Sequence, residues 1–480
     1  MEMTKIYYLL THILFTLTLG WYLITNLQWY SYKLSRVIFK HKKQIWHLLY
    51  FILPLVAYYV TGIYFGLFFY FGLLPALYLW QKKLDKKLVF TPRIKRFFIF
   101  LLLAVVFQDV LCLLSDKCQV FGVILPLFGA LGASFLFEKM MFLSFLKKAQ
   151  KKLENMQSLE IVTITASYGK TSIKNFLYQI LSPHMQTYMT PRSVNTLGGL
   201  VRDVNEDLPV QTKVYIAEAG ARVSGDIDEI AKFLNHDFAI VGSIGAQHIE
   251  YFKTLENIRN TKMEILNSQN LKHAFIHTSA HVSPNEKVSI FGDNISNINA
   301  TLEGLSFTIM IEGKEEHFQT PLLGEFNAIN LCAAIMIAVR LGVNIQDIRR
   351  TLFTLDQVEH RLQKIEAGGK LIIDDSFNGN FEGMEASYWM VKSYQGRKIL
   401  ITPGIIESDE ESNKALAQIM DEVFDTVIIT GAANAQVLAT TIQKAKKVIL
   451  RDKSKMEEVL AQETKAGDLI LFSNDAPTFI

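Results

Sequence analysis

Residues 165–172, Thr-Ala-Ser-Tyr-Gly-Lys-Thr-Ser, decide the fold of the second part of this chain. The apolar run 161–164 leads into them with the pattern of a buried strand, and a helical pattern begins near Thr171. When a strand is followed by a glycine-containing turn and a helix, the turn brings backbone N–H groups to phosphate oxygens. In such a loop, the lysine pairs with the phosphates and the threonine binds Mg²⁺. The stretch therefore predicts a nucleotide site in an α/β domain, formed by Ser167, Gly169, Lys170, Thr171 and Ser172.

The composition divides the chain near residue 150. Half of the 480 residues (50%) are hydrophobic, with 33 Phe and 18 Tyr, and nearly all long apolar runs precede residue 150. Residues 1–150 carry 17 Lys and Arg against 5 Asp and Glu, and residues 151–480 carry 32 against 41. A basic apolar part is typical of a membrane domain, and the acidic remainder argues against nucleic acid as a partner.

Four apolar stretches occupy residues 6–29, 45–80, 97–114 and 120–145. The second is too long for one membrane span of about 20 residues. Basic residues precede and follow it, and both basic loops favour the cytoplasmic side, so the stretch is interpreted as two spans that meet near Thr61 and Gly62. The flanking basic residues are Lys33, Arg36, Lys40, Lys42 and Lys43 before it, and Lys82, Lys83, Lys86, Lys87, Arg93, Lys95 and Arg96 after it.

This pattern predicts an α-helical membrane domain at residues 1–146 with about five transmembrane helices and an N-terminus outside. A linker at residues 147–158 then leads to α/β domains in the cytoplasm. Asp109 lies inside the fourth span, where an ionisable side chain is expensive. It either faces a neighbouring helix or the outer interface, or it has a function. Three cysteines, Cys112, Cys118 and Cys332, are too few for a disulfide framework or a zinc site.

Two more strand ends carry polar residues. Residues 214–220 read as a buried strand that ends at Glu218, where a Mg²⁺ ligand lies in parallel α/β sheets. A strand at 238–244 leads to His248, and Lys262 follows on a helical pattern through 255–266. Alone, each is ambiguous, because an acidic turn and a surface His or Lys are common.

Six segments resemble the Mur ligase family in the family's order, over roughly Leu159 to the C-terminus. Within the family, the chain is most similar to the members that add D-alanyl-D-alanine to a UDP-muramyl-tripeptide. The resemblance implies a P-loop Mur ligase central domain at 159–357 and a Rossmann-like C-terminal domain at 358–480. The segments are ITASYGKTS, AEAGARVSGDI, GSIGAQHIEYFKTLENIRNTKMEI, LLGEFNAINLCAAIMIAVRLG, EHRL and IIDDSFNGNFEGM.

The resemblance also implies metal ligands. Lys170 and Thr171 hold the ATP phosphates and a first Mg²⁺, with Glu218 as a further ligand of that ion. His248 is a ligand of a second Mg²⁺. Lys262 falls on the family's carbamylated lysine, whose modification turns a cation into a carboxylate-like ligand.

Five other residues match nucleotide positions of the family. Asn327 and Asn330 match the adenine side, and Arg361 and Asp375 match contacts to the γ-phosphate and ribose. Asn378 follows in a turn that lines the cleft, unless it serves only to form the turn.

The reaction implied is ATP-dependent amide formation through an acyl phosphate, in peptidoglycan precursor synthesis at the bacterial inner membrane. ATP and Mg²⁺ are the implied cofactors. The implied partners are a muramyl-peptide precursor, D-alanyl-D-alanine, the lipid bilayer and other cell-wall synthesis proteins. Two alternatives stay open: a ligase for a lipid-linked or other acceptor, and a catalytically idle, nucleotide-binding membrane scaffold for wall synthesis.

Three departures from the family pattern are visible, one of which is the absence of the usual Gly-Asp-Met-x-Glu-Leu-Gly run near residues 401–404. Ala166 and Tyr168 replace the usual Gly and Asn of the loop, and Ala166 fits only if its backbone φ is negative. Soluble members also have an N-terminal domain that holds the UDP-sugar, whereas here apolar spans end about 20 residues before the loop.

Overall fold

The structure is a computed structural model that describes residues 2–30, 32–39, 41, 43–84, 87–114, 121–246, 249–377, 379–406, 408–431 and 433–474. The chain forms two compact units, Met1–Phe145 and Leu146–Ile480. His248 and Asn378, two of the predicted site residues, lie outside the described residues.

Among its described residues, the first unit is helical wherever it has regular structure. Four apolar helical stretches among its described residues are long enough to cross a membrane: Ile6–Trp29, Ile45–Lys82, Pro92–Leu113 and Ile124–Asn155. The α-helices are α1 (Glu2–Trp29), α2 (Leu34–Phe39), α3 (Ile45–His47), α4 (Leu53–Thr61), α5 (Phe65–Phe68), α6 (Leu74–Lys82), α7 (Pro92–Leu113) and α8 (Ile124–Asn155). Two π-helical turns (Leu48–Ile52, Phe69–Leu73) and a 3₁₀ turn (Gly62–Tyr64) connect α3 to α6.

The long stretch from Ile45 to Lys82 reverses direction at Gly62. Gly62 has φ +56°, in the region that favours glycine. The ring centroids of Trp46 and Trp80 lie 5.8 Å apart, although a straight helix would separate these residues by about 50 Å. The stretch is therefore a helical hairpin with its turn where the sequence predicts one. That each half crosses a bilayer stays a prediction.

Asp109 faces a neighbouring helix, as one interpretation of the sequence expects. Its side chain is 4% exposed and lies 3.0 Å from Nδ1 of the fully buried His12 on α1. The other ring nitrogen of His12 lies 3.0 Å from the carbonyl of Gly122, so the pair also ties down the segment before α8. A buried ionisable group of this kind needs such partners in an apolar environment.

Cysteine chemistry differs between the two units. Cys112, in the last turn of α7, is disulfide-bonded, so the cysteines are not all reduced thiols. Cys332 in the second unit is buried and free.

The second unit begins with a parallel sheet. Its strand order is β2-β3-β1-β4-β5-β6, with β1 (Glu160–Thr165), β2 (Thr187–Met189), β3 (Val214–Glu218), β4 (Phe238–Val241), β5 (His273–His277) and β6 (Val288–Phe291). The helices that accompany it are α9 (Lys170–Leu181), α10 (Leu197–Glu206), α11 (Asp226–Leu234), α12 (Ile249–Phe252) and α13 (Leu255–Met263), with 3₁₀ turns at Glu264–Asn267 and Thr278–Ala280.

Both faces of this sheet are covered, so its strands read as continuous apolar runs. Val162 and Ile164 of β1 pack with α9, whereas Ile161 packs on the opposite face with α10 and α11. β1 pairs with β3 on one side and with β4 on the other. The loops that leave the carboxyl ends of these three strands therefore meet, at the kind of position where open α/β sheets bind ligands.

A three-stranded antiparallel sheet and two helices complete the middle region. The strands are β7 (Ile295–Thr301), β8 (Gly304–Ile311) and β9 (Lys314–Thr320), and the helices are α14 (Phe326–Arg340) and α15 (Ile345–Phe353). Leu305, Phe307 and Ile309 of β8 bury their side chains in the same core as α14 and α9. The sequence analysis does not anticipate this sheet.

The C-terminal region has its own six-stranded sheet, in the order β10-β11-β15-β12-β13-β14. The predicted boundary at 357/358 falls between α15 and its first strand. Strand-like apolar runs at residues 371–374, 399–402, 427–430, 448–450 and 469–472 predict five strands, and each run lies in a strand of this sheet. Among the described strands of the sheet, only β10 pairs antiparallel. The elements are β10 (Gln363–Ala367), β11 (Lys370–Asp375), α16 (Phe381–Val391), β12 (Lys398–Thr402), α17 (Glu410–Val423), β13 (Thr426–Thr430), α18 (Ala435–Thr441), β14 (Lys446–Leu450), a 3₁₀ turn (Lys453–Lys455), α19 (Met456–Glu463) and β15 (Leu469–Ser473).

The prediction of a linker at 147–158 is wrong for most of its length. Residues 147–155 belong to α8, because the segment is rich in Lys, Leu, Glu and Ala, which favour helix. Ala149, Leu153 and Met156 pack in the hydrophobic core of the second unit. This segment is part of a folded domain rather than a connection.

The hairpin at Gly62 leads to a topology prediction. With five crossings, an epitope tag at the N-terminus and a tag inserted at the exposed turn at Gly313 lie on opposite sides of the membrane. We expect an impermeant antibody to label only the N-terminal tag on intact cells, and both tags after permeabilisation. Two tags on the same side would mean an even number of crossings and would contradict the five-span prediction.

Candidate active site

The predicted phosphate loop lies between β1 and α9. Gly169 has φ +81°, and a Cβ atom there would lie 2.2 Å from Oδ1 of Asn330, so only glycine fits this turn. The backbone N–H of Ser167 donates to the carbonyl of Ser243 at 2.9 Å, and its hydroxyl donates to the carbonyl of Gly245 at 3.0 Å. The loop is thus fixed against the segment that follows β4, with the N-terminus of α9 open to an anion.

The substitutions in this loop are accommodated. Ala166 is fully buried and is not among the residues with positive φ, as the sequence analysis requires. The ring of Tyr168 lies over Gly245, where a Cβ atom would come within 2.5 Å of Cε2. Burial raises the pKa of Tyr168 to about 12, with a further contribution from Glu382, so the phenol stays neutral.

Lys170 folds back over the loop. Its Nζ donates to the carbonyls of Ala166 at 2.6 Å and Ser167 at 3.2 Å. Burial lowers the pKa of Lys170 to about 8; nearby Glu218 opposes this shift, and Arg361 adds to it. An arriving triphosphate would offer stronger acceptors than these two carbonyls.

Glu218 lies at the end of β3 and is fully buried, beside Thr171 and Lys174. Its Oε2 lies 3.4 Å from the hydroxyl of Thr171, and its Oε1 lies 2.8 Å from Nζ of Lys174. Lys174 is itself 1% exposed and also donates to the carbonyl of Thr190 at 2.7 Å. Lys174 is absent from the predicted site, although its place one turn after Lys170 on α9 is a signal that could have found it.

The oxygen donors here fit a magnesium ion. A hydroxyl and a carboxylate oxygen are hard ligands of the kind that Mg²⁺ prefers, and Thr171 and Glu218 already share a hydrogen bond. Oε1 of Glu218 is also buried and faces Nζ of Lys174. Within the described residues, no group of three or more His, Cys, Asp or Glu could hold a metal.

Lys262 is buried rather than on the surface. It lies near the end of α13 and is 4% exposed. Burial first, and then Lys170, hold the pKa of its amine well below the ordinary value, while Asp226 and Glu264 oppose this only partly. Burial thus favours the neutral amine over the ammonium, and the neutral amine is the form that reacts with CO₂.

The two predicted asparagines of α14 lie at the phosphate loop. Asn327 donates to the carbonyl of Leu323 at 2.7 Å, and its Oδ1 accepts from the amide of Asn330 at 3.2 Å. Oδ1 of Asn330 in turn faces Gly169. The chain of amides therefore connects α14 to the loop itself, and both side chains are buried. Ser172, in the first turn of α9, is also buried.

Arg361 and Asp375 come from the C-terminal region. Nη1 of Arg361 donates to the carbonyl of Phe377 at 3.1 Å, and the guanidinium lies 4.6 Å from the centre of the Phe377 ring. Burial raises the pKa of the Asp375 carboxyl to about 7, although Arg361 and the backbone N–H of Leu362 oppose the shift. Asn380 caps α16 by accepting from the N–H of Gly383 at 2.9 Å, so its side chain is used to form the turn.

Comparisons with known proteins agree with this architecture. The Mur ligase middle domain model matches residues 164–338, and the Mur ligase, glutamate ligase domain model matches residues 360–474. Two solved structures share the fold: the MurF ligase of Thermotoga maritima with ADP (TM-score 0.60, 24% identity, 70% of this chain and 80% of that chain), and the corresponding D-alanyl-D-alanyl ligase of Acinetobacter baumannii (TM-score 0.63, 23% identity, 70% and 76%).

Relatives of known activity are similar over the same part. The UDP-N-acetylmuramoyl-tripeptide--D-alanyl-D-alanine ligase of Bacillus subtilis is 26% identical over 332 residues, which is 65% of this chain and 72% of the relative. The enzyme of the same name from Escherichia coli is 28% identical over 277 residues, 54% of this chain and 61% of the relative. The chain thus spans only part of these relatives. The two domain matches together cover more than half of the chain, which therefore belongs to the Mur ligase family.

Proposed function

We propose that this protein is an ATP-dependent amide ligase that adds D-alanyl-D-alanine to a muramyl-tripeptide. The observation that carries the proposal is the meeting of Lys170, the Thr171–Glu218 pair and buried Lys262 at the carboxyl ends of β1 and β3. Members of the family are ATP-dependent ligases that form amide bonds, and relatives named for this substrate pair match over the same residues. Substrate identity follows these relatives.

The reaction needs two transfers. A carboxylate oxygen of the acceptor attacks the γ-phosphorus of ATP, the bond to the β,γ-bridging oxygen breaks, and ADP leaves. The amine of D-alanyl-D-alanine then attacks the carbonyl carbon of the acyl phosphate, phosphate leaves, and the nitrogen loses a proton. Each step has anionic reactants, so positive charge must be placed in advance where phosphoryl charge spreads.

Residues of this chain supply that positive charge and position the nucleotide. Lys170 exchanges its carbonyl contacts for phosphate oxygens, and the N–H groups at the start of α9 bind the remaining oxygens. Arg361, which comes from the C-terminal region, neutralises negative charge on the phosphates. Thr171 and Glu218 would hold a Mg²⁺, which supplies further charge stabilisation to the phosphates when bound. We propose that Lys262, carbamylated, and His248 hold a second ion.

Two alternatives concern the acceptor and the activity. A lipid-linked muramyl peptide fits a chain whose first unit contains apolar helices long enough to cross a membrane. An idle nucleotide-binding scaffold is disfavoured, because Lys170, Thr171, Glu218 and Lys262 are all present and buried or partly buried. We place the protein in the bacterial inner membrane, with the catalytic unit in the cytoplasm and other wall-synthesis proteins as partners.

The decisive measurement is ADP release by the detergent-purified full chain. We expect turnover with D-alanyl-D-alanine and either UDP-muramyl-tripeptide or its lipid-linked form, and none when the dipeptide is omitted. The preferred acceptor identifies the substrate. ATP binding without turnover on either acceptor would refute the ligase and favour the scaffold.

Substitution of Lys262 tests the proposed carbamate. Lys262→Ala removes the amine that reacts with CO₂, so we expect activity to fall by about 10²- to 10³-fold, the typical cost of one positioned charge. Short carboxylates such as acetate then restore part of the activity, because they supply the missing oxygen ligand. Substitution of the exposed Lys232 to Ala is a matched control without effect. A Lys262→Ala rate equal to wild type would remove Lys262 from the mechanism.

The lowered pKa of Lys170 leads to a prediction of how nucleotide affinity depends on pH. Its pKa of about 8 means that the ammonium, which attracts the triphosphate, is present at pH 7 and lost as the pH rises through 8. If only the charged form binds, affinity for β,γ-methylene-ATP at pH 9 is about tenfold weaker than at pH 7. Calorimetric titration measures this change. Lys170→Arg, which keeps its charge, should give a flat profile; parallel profiles for both proteins would contradict the assignment.

A further inference from the structure

The backbone on both sides of Arg361 is left-handed. His360 has φ +61° and Leu362 has φ +52°, a conformation that non-glycine residues rarely adopt. Such conformations persist only where the surroundings impose them, and they concentrate at functional sites. Arg361 therefore lies at the centre of a three-residue segment whose shape other residues must maintain.

Asp374 maintains the His360 side of this segment. Oδ2 of Asp374 lies 2.7 Å from Nδ1 of His360, and the aspartate is fully buried while the histidine side chain is 34% exposed. The other oxygen, Oδ1, accepts the backbone N–H of Ser376 at 3.1 Å. The hydroxyl of Ser376 lies 3.3 Å from the same nitrogen of His360. The imidazole is thus held by a fully buried carboxylate at the end of β11.

Asp375, the next residue on β11, maintains the Leu362 side. Its carboxyl accepts the backbone N–H of Leu362. The side chain of Leu362 is 1% exposed and belongs to the core of the C-terminal region. It also lies against Gly324, where a Cβ atom would meet Cδ1 of Leu362 at 2.5 Å. Asp374 and Asp375 therefore interact with His360 and Leu362, the two residues that flank Arg361.

We propose that His360 and Asp374 form a clamp that positions the Arg361 guanidinium on the phosphate end of the nucleotide. His360 is then a positioning residue that acts through Arg361, and the inference rests on the proposed nucleotide site. One guanidinium nitrogen and one face of the guanidinium are already committed to Phe377. The planar group has five N–H donors in a fixed fork, so the direction of the backbone decides where the remaining donors point.

The test uses nucleotide alone, so it needs no acceptor. Affinities of the full chain for β,γ-methylene-ATP and for ADP, each with Mg²⁺, give a ratio that reports contact with the γ-phosphate. We expect Arg361→Ala to lower this ratio by about 10- to 100-fold, as for a lost charged hydrogen bond. His360→Ala should remove most of the same factor and leave ADP affinity within about twofold. A ratio that persists in His360→Ala would overturn the clamp.

A double substitution separates positioning from general destabilisation. If His360 acts through Arg361, His360→Ala adds no further loss in an Arg361→Ala background. Additive losses would show an independent, structural role and would overturn the proposal. An unchanged ratio in Arg361→Ala would also overturn it, because Arg361 would then not contact the γ-phosphate.

Two more variants of His360 and a control at another histidine separate loss of the imidazole from misfolding. Glycine accepts the left-handed backbone without strain, so His360→Gly should fold but, without the imidazole, show a lowered affinity ratio. Asparagine also tolerates this conformation and keeps an N–H for Asp374, so His360→Asn should retain the wild-type ratio. The control is His281→Ala, because exposed His281 has the same kind of backbone, at φ +52°, and should change nothing. If the wild-type protein forms no amide bond but the variants change the affinity ratio as expected, the proposed function is refuted and the clamp is supported.

Discussion

The buried ion pair between Lys174 and Glu218 is the contact on which the nucleotide site depends. It joins α9, which carries the phosphate loop, to the end of β3, and both side chains are 1% exposed. Burying either charge alone would cost several kcal/mol, whereas a close, hydrogen-bonded pair offsets much of that desolvation. Oε1 of Glu218 faces Nζ of Lys174, and its other oxygen, Oε2, lies 3.4 Å from the hydroxyl of Thr171. The first turn of α9 and Glu218 are thereby held together.

Around this pair, the site gathers more positive than negative charge. Lys170, Lys262 and Arg361 all have pKa values lowered first by burial, and Lys170 is lowered further by Arg361 and Lys262 by Lys170. Lys170 and Arg361, which repel each other in a region of low dielectric constant, raise the free energy of the empty site. A polyanion such as a triphosphate relieves that repulsion. Perturbed groups of this kind cluster at functional sites, and here the physical cause is burial, to which repulsion between neighbouring cations adds.

Much of the fold follows from the local pattern of the chain. The phosphate loop, the acidic end of β3 and five C-terminal strands occur where residue patterns place them, because strand and helix periodicity is a local property. The turn at Gly62 follows from length and charge. The segment after residue 146 does not, because its helical pattern carries no sign that Ala149, Leu153 and Met156 join a distant core. The antiparallel sheet β7–β9 is also missed, since its alternation is irregular and includes a register shift between Ser296 and Asn299.

The sequence by itself determined the family, the phosphate loop and the candidate ligands, because each depends on residue types at fixed spacing along the chain. Only the tertiary structure decided how residues far apart in sequence combine. It pairs Lys174 with Glu218 across 44 positions of sequence and places Asn330 against Gly169. It also lets Asp374 hold His360 beside Arg361. Burial and ion pairing arise from packing between elements, and local pattern carries no information about which elements will meet.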